Sequence, residues 1–592
     1  MKRAARCVAS ITLCSALACI WLPTTAAAQT PPPAKKIVFT VGVTEPMSSA
    51  NPFSPGSYTD TNFAIYDLLY SFSVEDLSAT DGLAYFPPEQ SADGKTWTFK
   101  IRSGVRWSDG VPLTAHDIAF TYNYINEKHI GIYTSEIGKP LAHDSWEAPD
   151  DTTLIWHMAE PTLTPLNPSW VYILPEHIWG RFWDKDIATI KEFRNVPAVG
   201  SGPFVLTTWN DQTWTMEANK YYWGDKPNVD EIVFHAYDNP EALKLALING
   251  EVDAANGFPP TILDGLKGQP NIVTHVATST YFDELAFNFG GTGDPSLQNL
   301  DVRRAIAYSI DKQALVDRVA LGNATLASSV IFPDYKQWYW EPTADQIMGF
   351  DPARSKQLLD QAGYRDKDGN GFRETPDGEP WSLELTATSD WTYSVPEAKL
   401  IAGWMNDVGI KTSIQTVSES RLLDLWGAQD FDAYVWGWGE APDPDFILSI
   451  FTTAQCLNWS DGCYSNPQFD RMYDEQGSTT DISKRQAVVD EMQQFLYEQV
   501  PEVILIYEDQ LQAYRSDRFT GYVAQPTDGG SLIRQWGPVS YVHIRPVSET
   551  QAAAAAGSTK VPTLVWIAMV AVAVAVAAVL SRRRRSASGD KE

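Results

Sequence analysis

Val561 to Leu580 is an uncharged, mostly apolar run, and four consecutive arginines, Arg582 to Arg585, follow it almost directly. Twenty helical residues at about 1.5 Å each span roughly 30 Å, the thickness of a bilayer's hydrocarbon core. Flanks rich in Lys and Arg stay on the cytoplasmic side. The pattern predicts a transmembrane helix over 561–580 and a cytoplasmic tail over 581–592. Everything before it is then held outside the cell, and must build its core without help from the bilayer. The opening residues agree. Lys2, Arg3 and Arg6 precede a mostly apolar stretch, Cys7 to Leu22, and Ala26-Ala27-Ala28 offers small residues for cleavage. Residues 1–28 therefore read as a signal peptide, with an uncleaved anchor as the alternative. A sorting signal cut by a transpeptidase has the same shape as the distal run. Val561-Pro562-Thr563 matches the common form of that signal poorly, so retention as a membrane anchor is the expectation.

The segment between leader and span is long enough for two or three domains. The whole chain carries 45 basic and 74 acidic residues; without the leader and the residues after Lys560, 37 face 72. Such a field repels nucleic acid and anionic lipid, disfavours anionic ligands and tolerates neutral or cationic ones. Three of the five cysteines lie in the leader. The remaining pair, Cys456 and Cys463, stands in an extracellular context around a polar loop and predicts a local disulfide.

Strand and helix signals alternate along the chain. Ile37 to Val43 reads as a strand. Trp97 to Ile101 alternates between turns at Asp93-Gly94 and Asp109-Gly110. Thr114 to Asp117 resembles a capping box opening a helix. A strand-rich block covers 202–237, and Pro240 to Asn249 is helical in pattern. Asp301 is expected to cap a helix with Val302, Ala305, Ile306, Ser309 and Ile310 on one face. Helices are expected at 352–362, 397–408 and 482–499, and strands at 382–388, 411–417 and 503–507. The fold class is mixed, α/β with α+β character. Gln551 to Lys560 reads as an alanine-rich tether.

Motifs of catalysis are scarce. Gly94-Lys95-Thr96 has the letters of a phosphate loop, but Glu89 stands where the upstream Gly belongs, and a strand follows. No residue pattern argues for an enzyme. Asp366, Asp368 and Asn370 alternate before Gly371, with Asp377 at the twelfth position, which suits a calcium loop carrying a structural ion. The same letters equally suit a polar turn without an ion, and no other cofactor is required. Tyr434 to Phe446 mixes flat aromatic faces, glycines and acidic groups, the materials of a ligand site.

Several segments in series resemble one family. Ser91 to Ile118, Gly200-Ser201-Gly202-Pro203-Phe204, Asn219 to Trp223, Ala286-Phe287-Asn288, Val302 to Lys312 and Ser465 to Asp470 are similar, in order, to the extracellular solute-binding proteins of family 5. These are peptide, nickel and oligosaccharide receptors of ABC importers, and the likeness covers roughly 36–547. It implies a two-lobed, periplasmic-binding-protein-like clamp. Lobe I would comprise 36–78, 197–285 and 505–548, a small inserted domain 79–196, lobe II 286–504, and a tether 549–560. It also implies capture of oligopeptides between closing lobes, delivery to ABC permease subunits, and a monomeric receptor. Oligosaccharides are the alternative ligand; a hydrolase or adhesin on the same scaffold is the third reading. Gly437-Trp438 and Asp443-Pro444 match a family loop that holds a peptide's amino end, although the chain is one residue shorter between them and offers Glu440. The ligand contacts implied are Trp436, Trp438, Glu440, Asp443, Asn288 and Glu45.

Overall fold

The computed structural model describes residues 36–548 except 55–56, 58, 129, 131–144, 159–170, 279–280, 440–442 and 480. The leader, the tether, the apolar run at 561–580, the tail and Glu440 lie outside the described residues. Among those described, no helix is long and apolar enough to cross a membrane.

Two sheets organise the chain from Ile37 on. The first has seven strands, in the order 272–277, 510–515, 254–256, 38–43, 231–236, 213–218 and 204–209. At its centre Val38–Val43 pairs in parallel with both Glu231–Ala236 and Ala254–Asn256. Phe39, Val41 and Val43 are buried in the alternating pattern that a strand requires. A helix, Pro240–Asn249, packs on this strand. Asn239 caps it by accepting from the Ala242 N–H, Pro240 opens it, and Gly250 ends it with φ +76°. A Cβ on Gly42 would lie 2.3 Å from Leu243, so the helix can sit close only over glycine.

The second sheet has six strands, in the order 324–326, 502–508, 281–287, 433–439, 382–388 and 411–417. The last three run parallel. Tyr281–Phe287 is antiparallel to both neighbours, with a bulge at Asp283/Glu284 against Glu502–Glu508.

The chain crosses between the sheets at two adjacent places. Ile272–Ala277 and Gln510–Arg515 pair in the first sheet, while Tyr281–Phe287 and Glu502–Glu508 pair in the second. One crossing thus falls between Ala277 and Tyr281 and the other at Asp509. They lie a few residues from the expected lobe boundaries at 285/286 and 504/505. The shift has a plain cause: Glu502 to Arg515 is nearly continuous strand, and pairing partners, which the sequence does not display, decide where one sheet ends.

A four-stranded sheet of 89–90, 96–100, 153–157 and 145–150 lies within the stretch expected to be an insert and is covered by the helix Ala115–Lys128. Thr114 N–H donates to Asp117 and His116 N–H donates to Thr114 Oγ1, a capping box. Gly94, with φ +72°, makes the hairpin turn in which the phosphate-loop letters fall. Trp146 stacks between Trp156, at 4.9 Å, and Tyr122, at 4.2 Å. Much of the tryptophan here is core. The helix Leu300–Ser309 is capped by Asn299, which accepts from Asp301 N–H, rather than by Asp301, which sits in its first turn. The Gly200–Gly202 segment packs on the helix Thr59–Ile65 so closely that a Cβ on Gly200 would lie 2.0 Å from the Ile65 carbonyl oxygen.

Candidate functional site

Ligand crevices in sheets of this kind open beyond the carboxyl ends of parallel strands. Here both lobes turn such ends to one cavity of about 590 Å³. The first lobe contributes Thr44 and Glu45, after the strand Val38–Val43, and Gly257 to Pro259, after Ala254–Asn256. The second contributes Asp390 to Tyr393, after Ser382–Thr388, and Glu419, after Lys411–Val417. The paired crossings supply the floor, with Tyr281, Glu508, Asp509, Gln510 and Leu511.

The lining is aromatic and acidic. Trp391 anchors it: its indole N–H donates to Glu508 at 2.9 Å, and its ring lies 6.0 Å from Trp436 and 6.5 Å from Tyr281. Gly437 makes room, since a Cβ there would lie 3.1 Å from the Trp391 ring and 2.3 Å from the Phe282 carbonyl oxygen. Asp390 accepts from the Glu419 N–H at 2.7 Å, which ties the Asp390–Tyr393 turn to the start of the helix Glu419–Ala428. Five carboxylates, Glu45, Asp390, Glu419, Glu508 and Asp509, face the cavity against one guanidinium, Arg534. Arg534 lies over the Tyr281 ring at 5.6 Å. Burial, with Asp334 nearby, pushes Asp509 up to about 6. Burial raises Glu508 as well, and Glu419 is raised by burial and by its acidic neighbours Asp390 and Glu45. Carboxyl groups held this way gain from a cation placed among them.

The family profile for bacterial extracellular solute-binding proteins, family 5 (middle part), matches residues 78–459. The chain belongs to this family. Among its relatives, protein XP55 of Streptomyces lividans is 29% identical over 499 residues, which cover 82% of this chain and 86% of that protein. The oligopeptide-binding protein AppA of Bacillus subtilis is 26% identical over 495 residues, covering 81% and 88%. The solved structure of B. subtilis AppA with a nonapeptide superposes with a TM-score of 0.70 at 23% identity, over 87% of this chain and all of that one, and shares its fold. The mixed, two-lobed binding-protein architecture is common to both.

Within this family-5 clamp the residues expected to meet ligand part company. Glu45 lines the cavity, and Trp436 packs beside Trp391 at its edge. Trp438 is packed against Phe446 and Trp459, and its N–H donates to both oxygens of Asp461. Asp443 forms a two-pronged ion pair with Arg485, both contacts at 2.7 Å. Asn288 is buried: its amide donates to the Gln429 and Phe431 carbonyls and its oxygen accepts from Gly290 N–H. Neither Asp443, Asn288 nor Trp438 lines the cavity. Their short, polar or flat side chains suited a ligand loop on paper, but in the fold they close turns and pair buried charge. The cavity also takes in Trp391, Glu508 and Asp509, which no motif in the sequence singles out. Their signals are a Ser-Asp-Trp turn just after a strand and two adjacent acids ending the apolar run Val503 to Tyr507.

Cys456 and Cys463 are disulfide-bonded, with Cα atoms 4.4 Å apart. In the candidate calcium loop, carboxylate oxygens of Asp366, Asp368 and Glu374 lie within 4.8 Å of one another. Glu374, not Asp377, completes the group. Asn370 turns its side chain to Asp368 and to the Phe372 N–H. Asp366 accepts from the Gly369 and Gly371 N–H, Asp368 from the Asn370 N–H and Glu374 from the Lys367 N–H, contacts that a polar turn also makes.

Proposed function

We propose that this protein is the extracellular receptor of an ABC importer and captures oligopeptides. The observation that carries the reading is the cavity's charge: five carboxylates and one guanidinium between two lobes, with Trp391 and Tyr281 as flat walls. A peptide brings a terminal ammonium for the acids and side chains for the aromatic faces. A neutral oligosaccharide would stack on Trp391 but leave the acids uncompensated. Relatives named for oligopeptide and dipeptide binding support the same choice.

On this reading a bound peptide favours the closed clamp, permease subunits recognise that form, and the ligand leaves unaltered. The receptor acts as a monomer moored by the 561–580 run, with a leader that directs it outward. A calcium ion held by Asp366, Asp368 and Glu374 would stiffen a surface loop and take no part in binding.

The test is calorimetry with trialanine, N-acetyl-trialanine and mannohexaose. Trialanine binds, the acetylated form loses at least tenfold, and the sugar gives no heat. Glu419→Gln narrows the gap between the first two. Equal affinity for free and blocked peptides, or binding of the sugar alone, overturns the proposal.

A further inference from the structure

The second-lobe sheet carries a further group of acids, none of which lines the cavity. Glu284, after the bulge, stands across from Trp436 on the strand Ala433–Gly439. Two residues on, Ala286 lies between Tyr434 and Glu502. Alternation along strands puts Glu284, Tyr434 and Glu502 on one face. Asp461 reaches that face from the disulfide loop. Gly462 makes this approach possible, since a Cβ there would lie 1.7 Å from the Phe287 carbonyl oxygen. Phe289 N–H then donates to the Gly462 carbonyl at 2.7 Å and pins the loop down.

One carboxylate oxygen from each of Glu284, Asp461 and Glu502 lies within 4.8 Å of the other two. The residues are 0%, 7% and 8% exposed. The donors that reach the group, Tyr434 O–H and Trp438 N–H, both go to Asp461. Neither oxygen of Glu284 receives a hydrogen bond from any donor, nor does one oxygen of Glu502. The Glu284 oxygens therefore meet only other carboxyls in a buried nest of acids, with Glu502 within hydrogen-bonding reach. Burial and mutual repulsion raise Glu284 and Glu502 well above the usual carboxylate range. The groups acting on the triad are one another and Tyr434 and Trp438; Lys, Arg and His are not among them.

Burying an uncompensated carboxylate is expensive, even after the surroundings relax. A divalent cation removes the penalty for two at once. Oxygens bound to calcium at about 2.3–2.6 Å lie up to roughly 5 Å apart across the ion, which the triad satisfies. An all-oxygen, carboxylate-only set selects hard cations. We propose that Glu284, Asp461 and Glu502 form a buried binding site for a hard divalent cation of the calcium class. The ion joins the disulfide loop to two strands of the second lobe, and none of its ligands lines the ligand cavity.

The test uses the full chain in detergent with Asp366→Asn and Asp368→Asn introduced, so that the surface loop is silent. Terbium is the probe, excited through tryptophan, because Trp438 donates directly to a ligand carboxylate. The background variant shows sensitised terbium emission that calcium displaces, and its melting temperature falls in EDTA and returns with calcium. Adding Glu284→Gln weakens terbium at least tenfold. Should that variant not fold, Glu502→Gln replaces it, and metal analysis of the background protein, gel-filtered after calcium loading, finds one calcium per chain. Emission equally strong in the Gln variants, no calcium-dependent melting shift, or a calcium content of zero overturns the proposal: the triad then holds protons only.

Discussion

Replacing Asp443 by Asn separates a structural acid from a ligand anchor. Both guanidinium nitrogens of Arg485 donate to Asp443 at 2.7 Å, with side chains 3% and 17% exposed. Arg485 Nε donates to Gln476, whose amide donates to Asp445, and the guanidinium rests over Trp338 at 4.6 Å. The substituted amide keeps the shape and one acceptor but leaves a buried cation short of its counter-charge. Breaking a buried pair on one side costs about 3–5 kcal/mol. Asp445 remains close, so the lower figure, about 3 kcal/mol, is expected. For a unit of about 220 residues this lowers the melting temperature by roughly 6–12 °C. The assay pairs thermal unfolding, followed by near-ultraviolet circular dichroism, with trialanine calorimetry at a temperature where the variant is folded. The expected result is a lower melting temperature with affinity within about twofold. Asp443→Leu combined with Arg485→Met should recover most of the stability, because a well-packed apolar pair often replaces a buried ion pair at no loss. A tenfold loss of affinity, about 1.4 kcal/mol, at an unchanged melting temperature would refute this reasoning and return Asp443 to the ligand.

Gly462→Ala places a methyl where the Phe287 carbonyl oxygen already stands, so the disulfide loop must lift; the variant should melt lower and lose quenching or enhancement of Trp438 by any ion at the triad. Peptide affinity should rise as pH increases through about 6, since Asp509 ionises there and attracts the ammonium; calorimetry from pH 5 to pH 7.5 with flat affinity would count against it. Stability of the ligand-free chain runs the other way. Asp509 binds its proton more tightly folded than unfolded, so its stabilising share is complete below the unfolded value and is lost as pH rises through about 6. Melting temperatures of ligand-free and peptide-bound protein should therefore diverge as pH increases.

Local structure was largely legible. The helices Pro240–Asn249 and Ile482–Gln499 and the strands Ser382–Thr388 and Lys411–Val417 fall where their periodicity and caps place them. These elements carry their signals within themselves: a cap, a proline, a glycine in the left-handed region. The cavity was not legible in the same way. Trp391, Glu508 and Glu419 come from three distant segments and meet only through sheet order. The tryptophans of 436–438 advertised a ligand loop by composition, yet one of them is bonded to Asp461 and its neighbour in the loop, Asp443, neutralises Arg485. A short acid looks alike in sequence whether it meets a ligand or a buried arginine.

Ala277 pairs with Gln510 on one side of the two crossings and Phe282 with Tyr507 on the other, and residues there, Tyr281 and Glu508 to Leu511, form the cavity floor. A door moves least beside its pins. Any swing of one lobe about these crossings carries Glu45 and Glu419 through wide arcs and barely shifts Tyr281 or Glu508. A visiting molecule therefore finds its first footing on groups that are in position before the swing begins, and the rim acids add their hold only once the gap has narrowed. On the proposed capture of peptides by such a swing, selectivity for the arriving end would be set at the floor and retention at the rim.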